Sequence, residues 1–259
     1  MHSFIIKGII ETSLLDWEGK VVTTLFTPGC NFRCPYCQNA GLVLRPRRYK
    51  TISLSTIADH LLKYKNWIDG ICLTGGEPCL YEDIDEFLQE IKRLKFGVKL
   101  DTNGAFPEVI ERLIRKKLVD YVAMDVKAPI ENSSKLEAQS SKLKDDVVAG
   151  LALQKETKYQ KATGIKVDIE KIKESINIIM KSKIDYEFRT TVVPTLHTPE
   201  DILAIARWIN GAKKYSLQNF SNKEPMNPDF KKIIPYKREE LEEMKNLAFP
   251  LVKECVVRG

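Results

Sequence analysis

Short runs rich in β-branched residues alternate in this chain with longer stretches whose apolar residues recur with a helical period. The first pattern predicts buried strands and the second amphipathic helices, and their alternation predicts βα units around a parallel sheet. The six predicted strands are Val21 to Thr27, Gly70 to Thr74, Val98 to Thr102, Tyr121 to Val126, Tyr186 to Val193 and Tyr215 to Asn219. The predicted helices are Leu54 to Tyr64, Ile84 to Leu94, Glu108 to Lys117, Ile169 to Lys181, Pro199 to Ile209 and Arg238 to Leu247. Thr198 is placed to cap the helix that begins at Pro199.

One connection between strands is much longer than the others. The chain runs for 66 residues from Asp125 to Thr191, which exceeds a usual connection by about one further βα unit. We interpret the excess, residues 131–165, as an inserted surface excursion with a helical turn, in preference to a substrate lid. Residues 220–259 form a C-terminal extension. Because 259 residues can bury one full core, we expect residues 1–259 to form a single α/β domain.

Three cysteines follow the first predicted strand. Cys30, Cys34 and Cys37 have the spacing CxxxCxxC, and no fourth cysteine is nearby. Four thiolates hold an iron-sulfur cluster that only transfers electrons, whereas three leave one iron free to bind and reduce a small molecule. A closed zinc site is an alternative, but it needs four ligands, and disulfides suit short secreted chains better. The spacing therefore favours iron-sulfur chemistry.

Charge and hydropathy limit the partners of the chain. It has 41 Lys and Arg against 35 Asp and Glu, and the net charge of +6 tolerates an anionic partner without requiring one. The densest basic segment, Arg45 to Lys50, can meet phosphates, an acidic protein surface or solvent. It is not part of a longer basic face with interleaved aromatic residues, so nucleic acid is an unfavoured partner. We expect no membrane span and no signal peptide, and the clustered cysteines then predict a cytoplasmic protein.

Polar residues stand at the carboxyl ends of the predicted strands, which is the end where βα barrels place their chemistry. Residues 75–77, Gly-Gly-Glu, follow the second strand: the glycines let a ligand approach the backbone, and the glutamate can accept a hydrogen bond from an ammonium group. Asp101 and Asp125 end the next two strands, and such buried charges are costly unless paired. They can bind a cation, accept hydrogen bonds from a ribose, or form ion pairs with Lys127 and Arg189.

These motifs together resemble the radical S-adenosylmethionine (SAM) superfamily, in the CxxxCxxC loop, the aromatic Tyr36 beside its last cysteine, and GGEP after the second strand. Further motifs resemble the activating enzymes of glycyl radical proteins, most closely the activases of anaerobic ribonucleoside-triphosphate reductase. They are Asn39, LDTNG at 100–104, MDVK at 124–127 and FRTTVVPTLH at 188–197. The resemblance implies an α/β fold, a partial (βα)6 TIM-like radical SAM barrel with a long insertion after the fourth predicted strand.

The resemblance also implies the cofactors and the residues that hold them. Cys30, Cys34 and Cys37 would hold a [4Fe-4S] cluster that chelates SAM, and a monovalent cation would lie near Asp101 and Asp125. The residues implied to bind SAM are Tyr36, Asn39, Gly75, Gly76, Glu77, Thr102, Asp125, Lys127, Arg189 and His197. No separate catalytic side chain is implied.

The implied reaction is the reductive cleavage of SAM to a 5′-deoxyadenosyl radical, which would take a hydrogen atom from a glycine of a partner protein. That partner would be a glycyl radical enzyme similar to anaerobic ribonucleotide reductase, and ferredoxin or flavodoxin would supply the electron. Two other functions remain open. One is a radical SAM enzyme that modifies a small molecule or RNA, and the other is a metal-stabilised binding module without catalytic activity.

Overall fold

The computed structural model describes residues 4–130 and 156–259, whose strands form one sheet of eight strands in chain order. The first pair of strands is antiparallel, and every later pair is parallel. The strands are β1 Gly8–Ser13, β2 Val22–Thr27, β3 Gly70–Gly75, β4 Gly97–Thr102, β5 Tyr121–Asp125, β6 Asp185–Val192, β7 Tyr215–Asn219 and β8 Cys255–Arg258. The predicted α/β class with a central parallel sheet is therefore confirmed, and the six predicted strands are β2 to β7.

Eight α-helices lie in the described part of the chain. They are α1 Ala40–Leu44, α2 Leu54–Lys63, α3 Ile84–Arg93, α4 Pro107–Arg115, α5 Lys158–Thr163, α6 Ile169–Lys181, α7 Pro199–Trp208 and α8 Arg238–Ala248. The six predicted helices are confirmed. Helix α7 begins as expected, because the Thr198 side chain accepts a hydrogen bond from the backbone N–H of Asp201, and the Asp201 carboxylate accepts one from the backbone N–H of Thr198.

The sequence did not predict the two edge strands, β1 and β8. Three of the six residues of β1 are exposed, and β8 is only four residues long, so neither gives the continuous apolar run of a buried parallel strand. Both segments become strands because each pairs with a neighbouring strand, β1 with β2 and β8 with β7. The short helices α1 and α5 were missed for a similar reason, since five or six residues are too few to show a helical period.

The pleat of the sheet separates its buried charges from its apolar side chains. Successive residues of a strand point to opposite faces, so residues two apart share a face. Leu25, Leu73 and Leu100 are fully buried and belong to the same hydrophobic core as apolar residues of the surrounding helices. On β4, Lys99 and Asp101 lie on the face opposite to Leu100. The sheet therefore has an apolar outer face and an inner face that carries charge.

The two ends of the sheet are joined by side chains from the loop between β1 and β2. The Glu18 carboxylate lies 2.6 Å from Lys214 Nζ, just before β7, and 3.5 Å from Arg258 Nη2 of β8. Trp17 of the same loop packs against the Tyr121 ring at the amino end of β5. The described sheet thus curves into a partial barrel whose amino end is covered by this loop.

The predicted excursion, residues 131–165, lies in the long connection between β5 and β6. Only its last part, residues 156–165, belongs to the described residues. Its described end contains α5, and the carbonyl oxygen of Thr163 accepts a hydrogen bond from the backbone N–H of Arg33 in the cysteine loop, at 2.8 Å. The predicted C-terminal extension, 220–259, contains α8 and β8, and β8 adds an edge strand to the sheet. Among the described helices, none is long and apolar enough to cross a membrane.

Candidate active site

A cavity of about 540 Å³ opens at the carboxyl ends of the strands. It brings together residues that are far apart in the sequence, from the cysteine loop to β8. Twelve of the thirteen predicted cluster and SAM ligands line it: Cys30, Cys34, Tyr36, Cys37, Asn39, Gly75, Gly76, Glu77, Thr102, Asp125, Lys127 and Arg189. This is the end of the sheet at which the predicted strand-end residues were expected to meet.

The predicted ligand that the structure does not bring to the cavity is His197. Its side chain is fully buried and is absent from the cavity wall. Nδ1 accepts a hydrogen bond from the backbone N–H of Val193 at 3.0 Å, which leaves Nε2 to donate to the carbonyl oxygen of Lys127 at 2.8 Å. Burial lowers the pKa of this imidazole, so the neutral form suits both contacts. His197 thus fixes the backbone that follows β5 and β6.

The cysteine loop is compact and places its thiols at the cavity. The backbone N–H of Cys37 donates to the carbonyl oxygen of Cys34 at 3.0 Å, and the backbone N–H of Phe32 points to Cys30 Sγ at 3.3 Å. Burial raises the pKa of the Cys30 thiol to about 12 and that of Cys34 to about 11. The thiols are therefore protonated at neutral pH without metal, and metal binding releases their protons.

The donor set suits an iron-sulfur cluster better than one metal ion. In the described residues, no three or more His, Cys, Asp or Glu side chains are grouped as ligands of a single ion. Each thiolate of a cluster binds a different iron, so its sulfurs stand farther apart than the ligands of zinc. Three thiols on the wall of one cavity, with polar groups beside them, fit a [4Fe-4S] cluster with one iron free for a ligand.

The Gly-Gly-Glu turn packs directly against the start of the cysteine loop. Gly75 has φ of +112°, a conformation that favours glycine, and a Cβ on Gly76 would overlap the carbonyl oxygen of Gly29. The backbone N–H of Glu77 donates to that same carbonyl at 2.9 Å. Asn39 Nδ2 donates to the carbonyl oxygen of Gly75 at 2.9 Å, so the turn is also tied to the chain after the cysteines.

The Glu77 carboxylate is buried and accepts three hydrogen bonds. Oε1 accepts from the Thr102 hydroxyl at 2.8 Å and from the backbone N–H of Cys79 at 3.0 Å, and Oε2 accepts from the backbone N–H of Asn103 at 2.7 Å. Burial raises the pKa of this carboxyl. The Cys79 thiol is a further side-chain hydrogen-bond partner of this carboxylate, which also lies on the wall of the cavity and can face a donor there.

Two partly buried carboxylates, Asp101 and Asp125, share Arg189. Its Nε lies 2.9 Å from Asp125 Oδ1 and its Nη1 2.8 Å from Asp101 Oδ2, while Lys127 Nζ lies 2.7 Å from Asp125 Oδ2. Burial alone would raise the pKa of Asp125, but the charges of Arg189 and Lys127 outweigh burial and hold it at about 2. Ion pairing, one of the roles that the sequence left open, is therefore what both aspartates do in this structure.

Asn103 lines the cavity and Lys99 lies behind its wall, and neither was predicted as a site residue. Lys99 is 2% exposed, and its Nζ lies 3.2 Å from Asp101 Oδ1 and 3.7 Å from Glu187 Oε1. Asn103 Nδ2 donates to Asn31 Oδ1 at 2.7 Å in the cysteine loop. A lysine two residues before an aspartate in an apolar strand was the available sequence signal for Lys99.

Residues 24–209 match the family profile described as the Radical SAM superfamily, which is more than half of the chain. The chain belongs to the radical SAM superfamily. This radical SAM protein is 33% identical over 260 residues to a protein of Methanocaldococcus jannaschii that is provisionally named a glycyl-radical enzyme activating enzyme. That match covers 98% of this chain and 95% of the relative. The pyruvate formate-lyase-activating enzyme of Staphylococcus aureus is 29% identical over 115 residues, covering 40% of this chain and 45% of that enzyme.

Solved structures of low sequence identity share the fold of this radical SAM protein. SuiB of Streptococcus suis bound to its precursor peptide SuiA superposes with a TM-score of 0.59 at 16% identity, covering 90% of this chain and 47% of SuiB. TYW1 with a lysine-pyruvate adduct gives a TM-score of 0.56 at 13% identity, covering 88% of this chain and 73% of TYW1. At these identities the likeness shows the fold alone.

Proposed function

We propose that this radical SAM protein is an activating enzyme that generates a glycyl radical on a partner protein similar to anaerobic ribonucleotide reductase. The observation that carries the proposal is the match along nearly the whole chain to a relative named as such an activating enzyme. The cavity supports it, because cysteine, Gly-Gly-Glu and strand-end residues line one space. A second protein of Methanocaldococcus jannaschii with the same kind of provisional name is 28% identical over 88% of this chain.

In this proposal the cysteine loop binds the cluster and the Gly-Gly-Glu turn binds SAM. Cys30, Cys34 and Cys37 would hold a [4Fe-4S] cluster, and the Glu77 carboxylate on the cavity wall would accept a hydrogen bond from the ammonium group of SAM. When bound, the cluster and SAM supply a one-electron cleavage that yields methionine and a 5′-deoxyadenosyl radical able to remove a hydrogen atom from glycine. The Gly-Gly backbone lets SAM approach closely, because neither residue carries a side chain.

The other proposed SAM contacts lie around this centre. Lys127 and Arg189 are cations available to the SAM carboxylate while they stay paired with Asp125. Tyr36 is buried in the cysteine loop, and its Oη has no hydrogen-bond partner among the described residues. This hydroxyl is therefore available for a hydrogen bond to the ligand. Asn39 and Thr102 contribute indirectly as well, since they hold Gly75 and Glu77 in place.

A monovalent cation near Asp101 and Asp125 also stays a proposal. Asp101 Oδ1 supports it, because this buried oxygen forms no well-aligned hydrogen bond among the described residues and has only the ion-pair contact with Lys99. Lys99 Nζ at 3.2 Å and Arg189 already supply much of the positive charge that a cation would bring. If SAM binding is weaker in choline chloride than in potassium chloride, the cation contributes; equal binding would mean that the lysine and arginine suffice.

The alternative is a radical SAM enzyme that acts on a polar small molecule. The cavity wall away from the cysteines favours it, since Asp16, Gln218 and Arg258 line that side. A small substrate with several polar groups could use these side chains, whereas a glycine main chain needs few of them.

The deciding experiment has two stages. Anaerobic reconstitution should give about four irons per chain, and the reconstituted protein should release 5′-deoxyadenosine from SAM when dithionite is added. One zinc ion per chain in place of the irons would support a binding module. A Cys34→Ala variant should lose both properties, while Cys255→Ala, which removes a buried cysteine outside the cavity, should keep them. Mixing the reduced enzyme with an anaerobic ribonucleotide reductase should then produce a glycyl radical doublet in the electron paramagnetic resonance spectrum. SAM cleavage without that doublet would refute the activase proposal and favour the small-molecule alternative.

A further inference from the structure

A second groove lies on the outer side of the cysteine loop, with a volume of about 760 Å³. One wall is α1 with the 3₁₀ turn Pro46–Arg48, and the other is formed by residues 224–231. Its lining is mostly basic and partly apolar: Arg45, Arg48 and Lys231 line it against one carboxylate, Glu224, together with Leu44 and Tyr49. Leu44 and Tyr49 are 48% and 40% exposed, which leaves apolar surface open in the groove.

The groove shares one wall with the main cavity. Gln38 and Asn39 line both spaces, and Gln38 directly follows Cys37. The Gln38 amide donates to the carbonyl oxygen of Ser221 at 2.8 Å, and the Asn39 amide donates to that of Gly75. Hydrogen bonds therefore hold this wall in place between the groove and the cysteine thiols.

The basic side chains beside the groove are free of partners in the described part of the chain. Arg45, Arg47, Arg48 and Lys50 are exposed, and none forms an ion pair or a side-chain hydrogen bond with a described residue. Their backbone is fixed, since Lys7 Nζ donates to the carbonyl oxygen of Tyr49 at 3.0 Å. Four unpaired cations on a rigid segment create a local positive potential without first having to break internal contacts.

We propose that this groove is the docking site of an acidic protein that donates one electron to the enzyme. An electron can tunnel through the wall formed by Gln38 and Asn39, whereas the main chain of a substrate cannot pass through it. A donor docked in the groove would contact Gln38, the residue that directly follows Cys37 in the sequence. The charge of Arg45, Arg47, Arg48 and Lys50 selects an acidic partner and speeds its association.

The proposal rests on radical SAM chemistry and not on the identity of the protein that receives the radical. The donor gives up one electron for each SAM that is cleaved, and the radical takes its hydrogen atom from a glycine-containing peptide added in excess, so electrons lost by the donor and 5′-deoxyadenosine formed should appear in a ratio of about one to one. Both quantities can be measured without a glycyl radical enzyme. A failure of glycyl radical formation would leave the docking proposal standing.

The test compares protein-driven with chemically driven SAM cleavage in the reconstituted holoenzyme. Arg45→Glu with Arg48→Glu reverses two charges in the groove, and Lys65→Glu with Lys183→Glu makes the same change in exposed turns at the amino end of the sheet. With a reduced, acidic two-cluster ferredoxin as the probe at low ionic strength, we expect the groove variant to form 5′-deoxyadenosine about 10- to 100-fold more slowly. The control variant should change by less than about threefold, since its charges are remote from the groove.

Dithionite separates docking from damage to the site. Because it is a small ion that needs no docking surface, both variants should cleave SAM with dithionite at the wild-type rate. Raising the salt concentration should slow the ferredoxin-driven wild-type reaction and narrow the difference from the groove variant. A groove variant that keeps its ferredoxin-driven rate, or that loses the dithionite-driven rate equally, would overturn the proposal. Weaker binding of a protein substrate with an unchanged ferredoxin rate would also overturn it, by assigning the groove to the substrate.

Discussion

Replacing Glu77 by glutamine tests the part of the site that links its structure to its chemistry. The carboxylate accepts from the backbone N–H groups of Cys79 and Asn103 and from the Thr102 hydroxyl. In Glu77→Gln, one oxygen becomes an NH₂ group. The less costly orientation places it opposite the N–H of Asn103 and so loses one hydrogen bond to a charged acceptor, worth about 1.5 to 3 kcal/mol.

Two effects of this substitution should differ in size. Burial raises the pKa of Glu77, which means that the folded protein tolerates its charge poorly, and removing that charge offsets part of the lost hydrogen bond. We therefore expect the free energy of unfolding to fall by only about 1 to 2 kcal/mol. SAM binding has no such compensation, because the ammonium group loses a charged acceptor, and the Kd should rise about 10- to 150-fold.

Equilibrium dialysis of SAM against the anaerobically reconstituted enzyme measures the second effect, and thermal unfolding measures the first. Glu82→Gln is the matched control, since Glu82 is exposed and lies five residues further along; it should change neither quantity. A Glu77→Gln protein that binds SAM within threefold of wild type would refute the assignment of Glu77 to the ammonium group.

Three further changes test the packing and the charges around the cavity. Gly76→Ala should lower stability by about 3 kcal/mol, because its methyl group overlaps the Gly29 carbonyl beside the cysteine loop; reduced iron loading and a lower Tm would show this, and normal loading would contradict it. Lys99→Met should cost about 3 kcal/mol in urea unfolding, since the buried Glu187 and the partly buried Asp101 lose a cationic neighbour, and a cost below about 1 kcal/mol would mean that Arg189 compensates. The ion pairs of Asp125 lower its pKa from 3.8 in the unfolded chain to about 2 in the fold, so they stabilise the protein above pH 4 and are lost as the pH falls towards 2. Unfolding free energies of Asp125→Asn should therefore vary less than wild type over that interval, and an equal pH dependence would contradict the pairing.

Hydrophobic pattern was sufficient to predict the central sheet, and it failed where strands depend on their neighbours. β3 to β7 are buried runs between turns and were found within one residue at each end. β1 is half exposed, and its alternation carries too few apolar residues to stand out. Local pattern reports burial, but the pairing of an edge strand is a tertiary property.

Residue chemistry predicted the members of the site better than their roles. Cys30 and Glu77 stand out in the sequence because thiols and a carboxylate in turns have few structural reasons to be there, and both line the cavity. The resemblance to radical SAM activases implied that His197 binds SAM, yet the fold occupies both ring nitrogens with backbone groups. Lys99 was passed over although its partner Asp101 is two residues away, because its second partner, Glu187, is on another strand and no local pattern reveals that contact.

The order of the strands assigns cofactor binding and the opposite cavity wall to different halves of the chain. Because the sheet follows the chain, the proposed cofactor ligands up to Lys127 come from one contiguous half, and the opposite wall, apart from Asp16, comes from the other half with Thr191, Gln218 and Arg258. Arg189 is the proposed SAM contact that reaches across this boundary. New substrates could therefore be accommodated by changing the later half of the gene while the earlier half, and with it the radical-forming machinery, is inherited intact.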